Sequence, residues 1–237
     1  MSSLAARSAS ARIPAGLLAM RALPAHKPQS NAPQGDGRLA GKRQAFARGQ
    51  ELFAEGDAAE FFYKVVSGTV RTVKLLSDGR RQIDAFHLTG DIFGLESGVE
   101  HRVTAEAVDE VVVEAFRKSR FASLLHDDPA FGEQLMSSTL VSLERAHEHL
   151  VLLGRKTAQE RMATFLLDMA RRLGCDGKAE QFELPMQRTD IADHLGLTIE
   201  TVSRTLTQMV RGGLIKLAAA GRTIVLADKA GLQELNA

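Results

Sequence analysis

The feature that most limits the fold is a long helical pattern over residues 129–153. Met136, Leu143 and Leu150 recur every seven residues, and so do Thr139, Ala146 and Leu153. Together they make a narrow a/d stripe over about three heptads. At 1.5 Å per residue the helix would be roughly 37 Å long. Packing against its own domain is the plainer use of such a stripe. A partner helix suits its narrowness and length better, and a symmetric pair is the commonest solution. The long helix also divides the chain into a strand-rich first half and a helix-rich second half.

With 237 residues the chain has enough length for two small domains. From about 44 to 116 the apolar residues fall in short runs punctuated by Gly56, Gly68, Gly79, Gly90 and Gly94. Ser77-Asp78-Gly79 signals a hairpin turn, and Asp109-Glu110 splits a further strand pair. Many short strands at such spacing predict a small antiparallel barrel, roll or sandwich. A short helix should end before Pro129, and Gly154-Arg155-Lys156 should break the long one. Thr157 can cap a following helix whose apolar face carries Met162, Phe165, Leu166 and Met169. A strand fragment, two helices and a hairpin about Gly221 complete the chain. The expected class is α+β. A tail covers 1–41, a β-roll 42–128, the long helix 129–154 and a helical domain 155–237. The tail is rich in Ala, Ser, Pro and Arg, with no acidic residue before Asp36. Its composition resembles a transit peptide, but an unstructured tail is the plainer reading.

The stretch LGLTIETVSR, residues 195–204, carries the chemistry. Thr189 is expected to cap a short helix from Asp190 to Leu195, Gly196 to permit a tight turn, and Thr198 to cap a second helix. On a wheel of about 100° per residue, Ile199, Val202, Leu206, Met209 and Val210 share one side. Glu200, Ser203, Arg204, Thr207 and Arg211 share another. A polar outer face is ordinary on a surface helix. Two capped helices, a glycine turn and a following hairpin, however, make the plan of a winged helix-turn-helix. Arg204 can donate two bonds to guanine, Glu200 can accept from cytosine, and Ser203 is short enough to meet a base edge. Arg188, Thr189 and Thr198, with the adjoining Ile199 and Thr201, sit at helix N-termini suited to phosphates. Residues 155–237 hold 12 Lys/Arg against 10 Asp/Glu, so attraction to phosphate is moderate.

These residues resemble the CRP/FNR superfamily of bacterial transcription factors. The most specific pieces are FFYKVVSGTVRTVKLLSDGRRQIDAFHLTGDIFG, KTAQERMATFLLDMARRLG and QRTDIADHLGLTIETVSRTL. The Glu-x-x-Ser-Arg signature of the FNR and FixK branches is matched by Glu200, Ser203 and Arg204. The resemblance implies a sensor-like β-roll, a dimerisation helix, a winged helix-turn-helix and a TTGA-N-TCAA-like DNA palindrome. It also implies RNA polymerase as a partner, a cytoplasmic location and activation of low-oxygen genes.

Departures from the superfamily narrow the effector. Cys175 is the one cysteine, so four thiolates for an iron–sulfur cluster are not available, and the roll position of the fourth is Val113. In the cyclic-AMP receptors a Glu follows the roll glycine; here Leu95 follows Gly94, and Val99-Glu100 falls where an Arg-Ser pair would hold a phosphate. That pattern is most like the FixK group, whose members lack the cluster and are controlled largely through their own synthesis. The expectation is therefore an activator with no cofactor and no metal. The alternative is a regulator gated by a small molecule or haem in the roll. Arg171 and Arg172 beside Cys175 favour its thiolate, which makes it a candidate redox residue, though an inert surface cysteine is the plainer reading. His147 and His149 point to divergent faces of the long helix, and His87 has no evident second ligand. Ser67-Gly68 and Ser97-Gly98 lack a nucleophile-elbow context, and no phosphate loop is present. The reading is a non-enzyme, and no apolar run approaches a membrane span.

Overall fold

A computed structural model of the chain describes residues 41–174, 181–218 and 221–236. The expectations for the tail before residue 41 and for Cys175 lie outside the described residues.

Eight strands open the fold: β1 (Lys42–Phe46), β2 (Glu51–Phe53), β3 (Phe61–Ser67), β4 (Val70–Leu75), β5 (Arg81–His87), β6 (Ile92–Phe93), β7 (Thr104–Ala107) and β8 (Val111–Arg117). They form two antiparallel four-stranded sheets, ordered β1-β8-β3-β6 and β2-β7-β4-β5. Alternation along β8 turns Val111, Val113 and Ala115 inward. The expected Ser77-Asp78-Gly79 turn does join β4 to β5. Gly68 makes the β3–β4 turn at φ +83°, where a Cβ would lie 2.3 Å from the Glu110 carbonyl oxygen. The roll interior is filled by rings. Phe53 stacks on His101 at 3.6 Å and on Tyr63 at 5.6 Å, and Phe93 lies between Tyr63 and His87 at 5.4 and 4.7 Å.

After a short 3₁₀ turn come α1 (Phe121–Asp127) and α2 (Pro129–Arg155). Asp128 caps α2 by accepting from the Phe131 N–H, with Pro129 at the first helical position. The expected break at Gly154-Arg155-Lys156 is present: helix α2 ends at Arg155, and the chain leaves it at Lys156, which is extended. Arg161 holds this junction. It belongs to α3 (Ala158–Arg172), and its guanidinium donates to the carbonyls of Leu153, Lys156 and Leu195, all within 2.9 Å. The unpaired carbonyls at the end of α2 thus gain a half-buried cation in place of water. Thr157 caps α3 in a reciprocal box with Glu160, as expected.

The remaining elements are β9 (Gln181–Glu183), α4 (Arg188–Leu195), α5 (Ile199–Arg211), β10 (Ile215–Leu217), β11 (Thr223–Leu226) and α6 (Lys229–Asn236). The three strands form one sheet in the order β10-β11-β9. Helix α6, which the sequence reading lacks, packs on α3 and buries Leu232. One apolar cluster joins α3, α4, α5 and this sheet, and it includes Val73, Ile83 and Phe86 from the outer face of the roll.

Candidate nucleic-acid interface

Helix α4 begins earlier than the sequence suggests. Gln187, not Thr189, is its N-cap, and Asp190 closes the first turn by accepting the Gln187 N–H at 3.0 Å. Asp190 reaches back from the third helical position, a role its carboxylate fills better than the Thr189 hydroxyl. Thr189 is instead exposed on the first turn beside Arg188. Gly196 then takes the left-handed conformation, φ +61°, and its turn is pressed against Leu153 and Arg161. Thr198 caps α5, accepting from the Thr201 N–H at 3.2 Å.

Helix α5 buries Val202, Thr205, Leu206 and Met209. The wheel is corrected at three positions. Ile199 and Val210 are about two-fifths exposed, while Thr205 is buried. The docked stripe is narrower than the wheel drew it, because the helix meets its neighbours along one line rather than across a broad face. Glu200, Arg204, Thr207 and Arg211 are exposed, and Ser203 is half-buried. The Glu200 carboxyl is held below its usual range by bonds from its own N–H and the Thr198 hydroxyl, with Arg204 adding to the effect. It is therefore an acceptor at neutral pH.

Arg188 joins two parts of this surface. Its Nη1 donates to Ser203 Oγ at 3.3 Å, and a Cβ at Gly221 would lie 3.4 Å from its Nη2. Arg188 thus stands between the presented face of α5 and the turn that joins β10 to β11. Arg188 and Thr189 lie on the start of α4, and Thr198, Ile199, Glu200, Thr201, Ser203 and Arg204 lie on or beside the first turns of α5, with the Arg188–Ser203 bond joining the two helices. That is the arrangement by which backbone N–H groups and short polar side chains meet phosphates while longer ones reach base edges.

On α2, Met136, Leu143 and Leu150 are 63%, 52% and 68% exposed, and Thr139 and Ala146 are exposed beside them. Leu153 differs. It is half-buried against its own C-terminal core, where the end of α2 meets α3 and α4. Leu140 and Val151, which the seven-residue count misses, extend the exposed apolar ridge. A spacing of 3.6 residues per turn would have found them.

Sequence reasoning also misses a polar rim between the roll and α4. Arg71 and Arg81 reach Asp190, Glu106 holds Arg71, and Asp193 holds Arg81. Arg71 and Arg81 are polar residues on strands of an open sheet face, which reads as a solvated pattern. Only the fold brings α4 onto that face. Among the described residues no three His, Cys, Asp or Glu side chains gather as metal ligands. None of their helices is long and apolar enough to cross a membrane.

Known proteins agree with this geometry. Residues 43–128 match the cyclic nucleotide-binding domain family, and residues 160–235 match the Crp-like helix-turn-helix domain family. The nitrogen fixation regulation protein FixK of Azorhizobium caulinodans is 48% identical over 198 residues, covering 83% of this chain and 79% of that protein. FixK of Rhizobium meliloti is 40% identical over 213 residues, covering 88% and 96%. The solved structure of FixK2 from Bradyrhizobium japonicum superposes with a TM-score of 0.76 at 46% identity, covering 84% of this chain and 98% of that one. A sensor-like roll, a long exposed helix and a winged helix-turn-helix in this order, with those relatives, make the chain a member of the CRP/FNR superfamily, a DNA-binding transcription regulator of FixK type.

Proposed function

We propose that two copies pair along the α2 ridge and read a TTGA-N-TCAA-like palindrome, one half-site each. Glu200, Ser203 and Arg204 read bases, while Arg188, Thr189, Thr198, Ile199 and Thr201 meet the backbone. The observation that carries this reading is the presented face of α5, with an ionised Glu200 and an exposed Arg204 standing on a buried stripe. The wide exposed ridge on α2 supports pairing, since apolar surface of this kind on a soluble chain marks a contact. The regulator works in the cytoplasm with RNA polymerase as its partner, as an activator of low-oxygen genes. Relatives named for regulating nitrogen fixation support that role. It needs no bound cofactor: one cysteine cannot supply a cluster, and rings occupy the roll interior. We assign it no catalytic role, in keeping with relatives that are regulators.

The test is a base-by-base titration. Duplexes substituted symmetrically at each TTGA position are compared for the wild type and Arg204→Ala. Loss of discrimination at one position only is the expected result. An unchanged preference at every position ends the assignment.

A cavity of about 460 Å³ supports a second reading, control by a small effector. It lies between β5, α2 and α3 and is lined by His87, Arg145, His149, Phe165 and Arg172. On that reading the purified protein binds its palindrome only after cell extract is added.

A further inference from the structure

Asp190 has two jobs on one carboxylate. It is 3% exposed. Its Oδ2 accepts the Gln187 N–H and so closes the N-terminus of α4. Its Oδ1 accepts from Arg71 Nη1 at 2.7 Å and from Arg81 Nη2 at 2.9 Å. Those arginines stand on neighbouring strands of the roll, β4 and β5. Each is held in turn. Glu106 of β7 accepts from Arg71 Nε at 2.8 Å, and Asp193, within α4, accepts from Arg81 Nε at 2.8 Å. Beside this rim, Gln82 donates to the His194 carbonyl, and His194 Nδ1 bonds the Ile83 carbonyl. Beneath it, Phe86 packs edge-on to His194.

An apolar seam alone would join the two parts. Buried ion pairs add little stability over well-packed hydrophobic residues. What they add is direction, because a guanidinium fork bonds a carboxylate at a fixed angle. Here the direction is transmitted to one helical turn. That turn carries Arg188 and Thr189, and Arg188 bonds Ser203 of α5. Arg71 and Arg81 therefore lie one shared carboxylate away from the turn that faces DNA.

We propose that Asp190 is a positioning residue through which Arg71 and Arg81 of the roll set the first turn of α4, and with it the aim of Arg188 and Ser203. The roll thereby tunes DNA reading without touching DNA. This rests on the DNA reading proposed above, and the test separates the two.

The full-length wild type is compared with Arg71→Ala/Arg81→Ala. Arg71→Lys/Arg81→Lys serves as a second variant that keeps the charge and loses the fork. Amide exchange over residues 187–191 is followed in the free proteins, with residues 202–209 as an internal reference. Binding is titrated on the palindrome and on a scrambled duplex at fixed salt. Exchange should rise over 187–191 and stay unchanged over 202–209 in both variants. Palindrome affinity should fall about tenfold in the alanine variant, a usual size for coupling between sites. The lysine variant should fall less, and the scrambled duplex should weaken less than the palindrome in each variant, because Arg188 meets the backbone while Ser203 reads bases. Unchanged exchange over 187–191 in both variants overturns the proposal. So does raised exchange with palindrome affinity within about twofold of wild type, far below a usual coupling. If the wild type does not prefer the palindrome at all, the DNA reading falls, and the exchange comparison alone decides whether Asp190 links roll and helix.

Discussion

Among single residues, Arg204 and Arg188 stand close together yet should fail in different ways. Arg204→Ala should cost about 1–3 kcal/mol per half-site and relax preference at one base position. Arg188→Ala should weaken all duplexes alike and lower the salt slope by about one, as a phosphate contact does. Titrations on matched and scrambled duplexes at several salt concentrations separate them. If Arg188→Ala instead loses preference at one position, its bond to Ser203 matters more than its phosphate contact. Arg161 offers a test within the fold. It satisfies three carbonyls at the junction of α2, α3 and α4. Arg161→Ala should lower stability by about 2–4 kcal/mol in urea unfolding, since bonds to a charged group are each worth about 1.5–3 kcal/mol before relaxation. A loss under about 0.5 kcal/mol, the size of an ordinary surface change, would remove Arg161 from that role. The exposed place of Arg204 on α5 was legible in the sequence because a local pattern of caps and apolar spacing frames it. Arg161 was not, because its three acceptors come together only in the folded chain.

Elements were legible mostly where a local cause fixed them. Asp78-Gly79 made the β4–β5 turn, Thr157 capped α3, and Thr198 capped α5. The start of α4 was misread although its cause is also local: the Asp190 carboxylate, rather than the Thr189 hydroxyl, closes the first turn. Helix α6 was missed because KAGLQELN is short and carries a glycine, and its helix depends on Leu232 finding the α3 surface. The α2 stripe is exposed at Met136, Leu143 and Leu150 and half-buried at its end, where Leu153 turns into its own core. That difference is testable. Leu143→Glu or Leu150→Glu should give a folded monomer by sedimentation, with unchanged unfolding of the single chain. Leu153→Ala should instead lower the stability of that monomer by about 1–2 kcal/mol, below the range for fully buried leucines. A dimer that survives both glutamate changes would remove α2 as the pairing surface.

Across the whole molecule, the seam between roll and C-terminal domain is lined by neutral histidines. Burial pushes the His194 pKa down to about 3, and neighbouring His149 adds to the effect. Burial likewise pushes His87 down to about 4, with Arg172 and Arg145 adding to the effect and Asp91 opposing it. The folded chain then takes up these protons later than the unfolded chain does as pH falls. Stability from both sites is therefore complete above about pH 6.5 and declines below it. At pH 5 each site should have cost about 2 kcal/mol relative to pH 7.5. Urea unfolding at the two pH values should show that drop, and His194→Gln should remove about half of it. A flat profile in the wild type would mean these rings are not held neutral.

The most direct measurement titrates purified, effector-free protein onto a TTGA–TCAA duplex, in air and at fixed salt, with a scrambled duplex beside it and the mass of the complex recorded. The account predicts two chains per duplex and a specific affinity at least about a thousandfold above the scrambled one, the lower end for specific DNA readers. Equal affinity for both duplexes, or binding by a single chain, would contradict it.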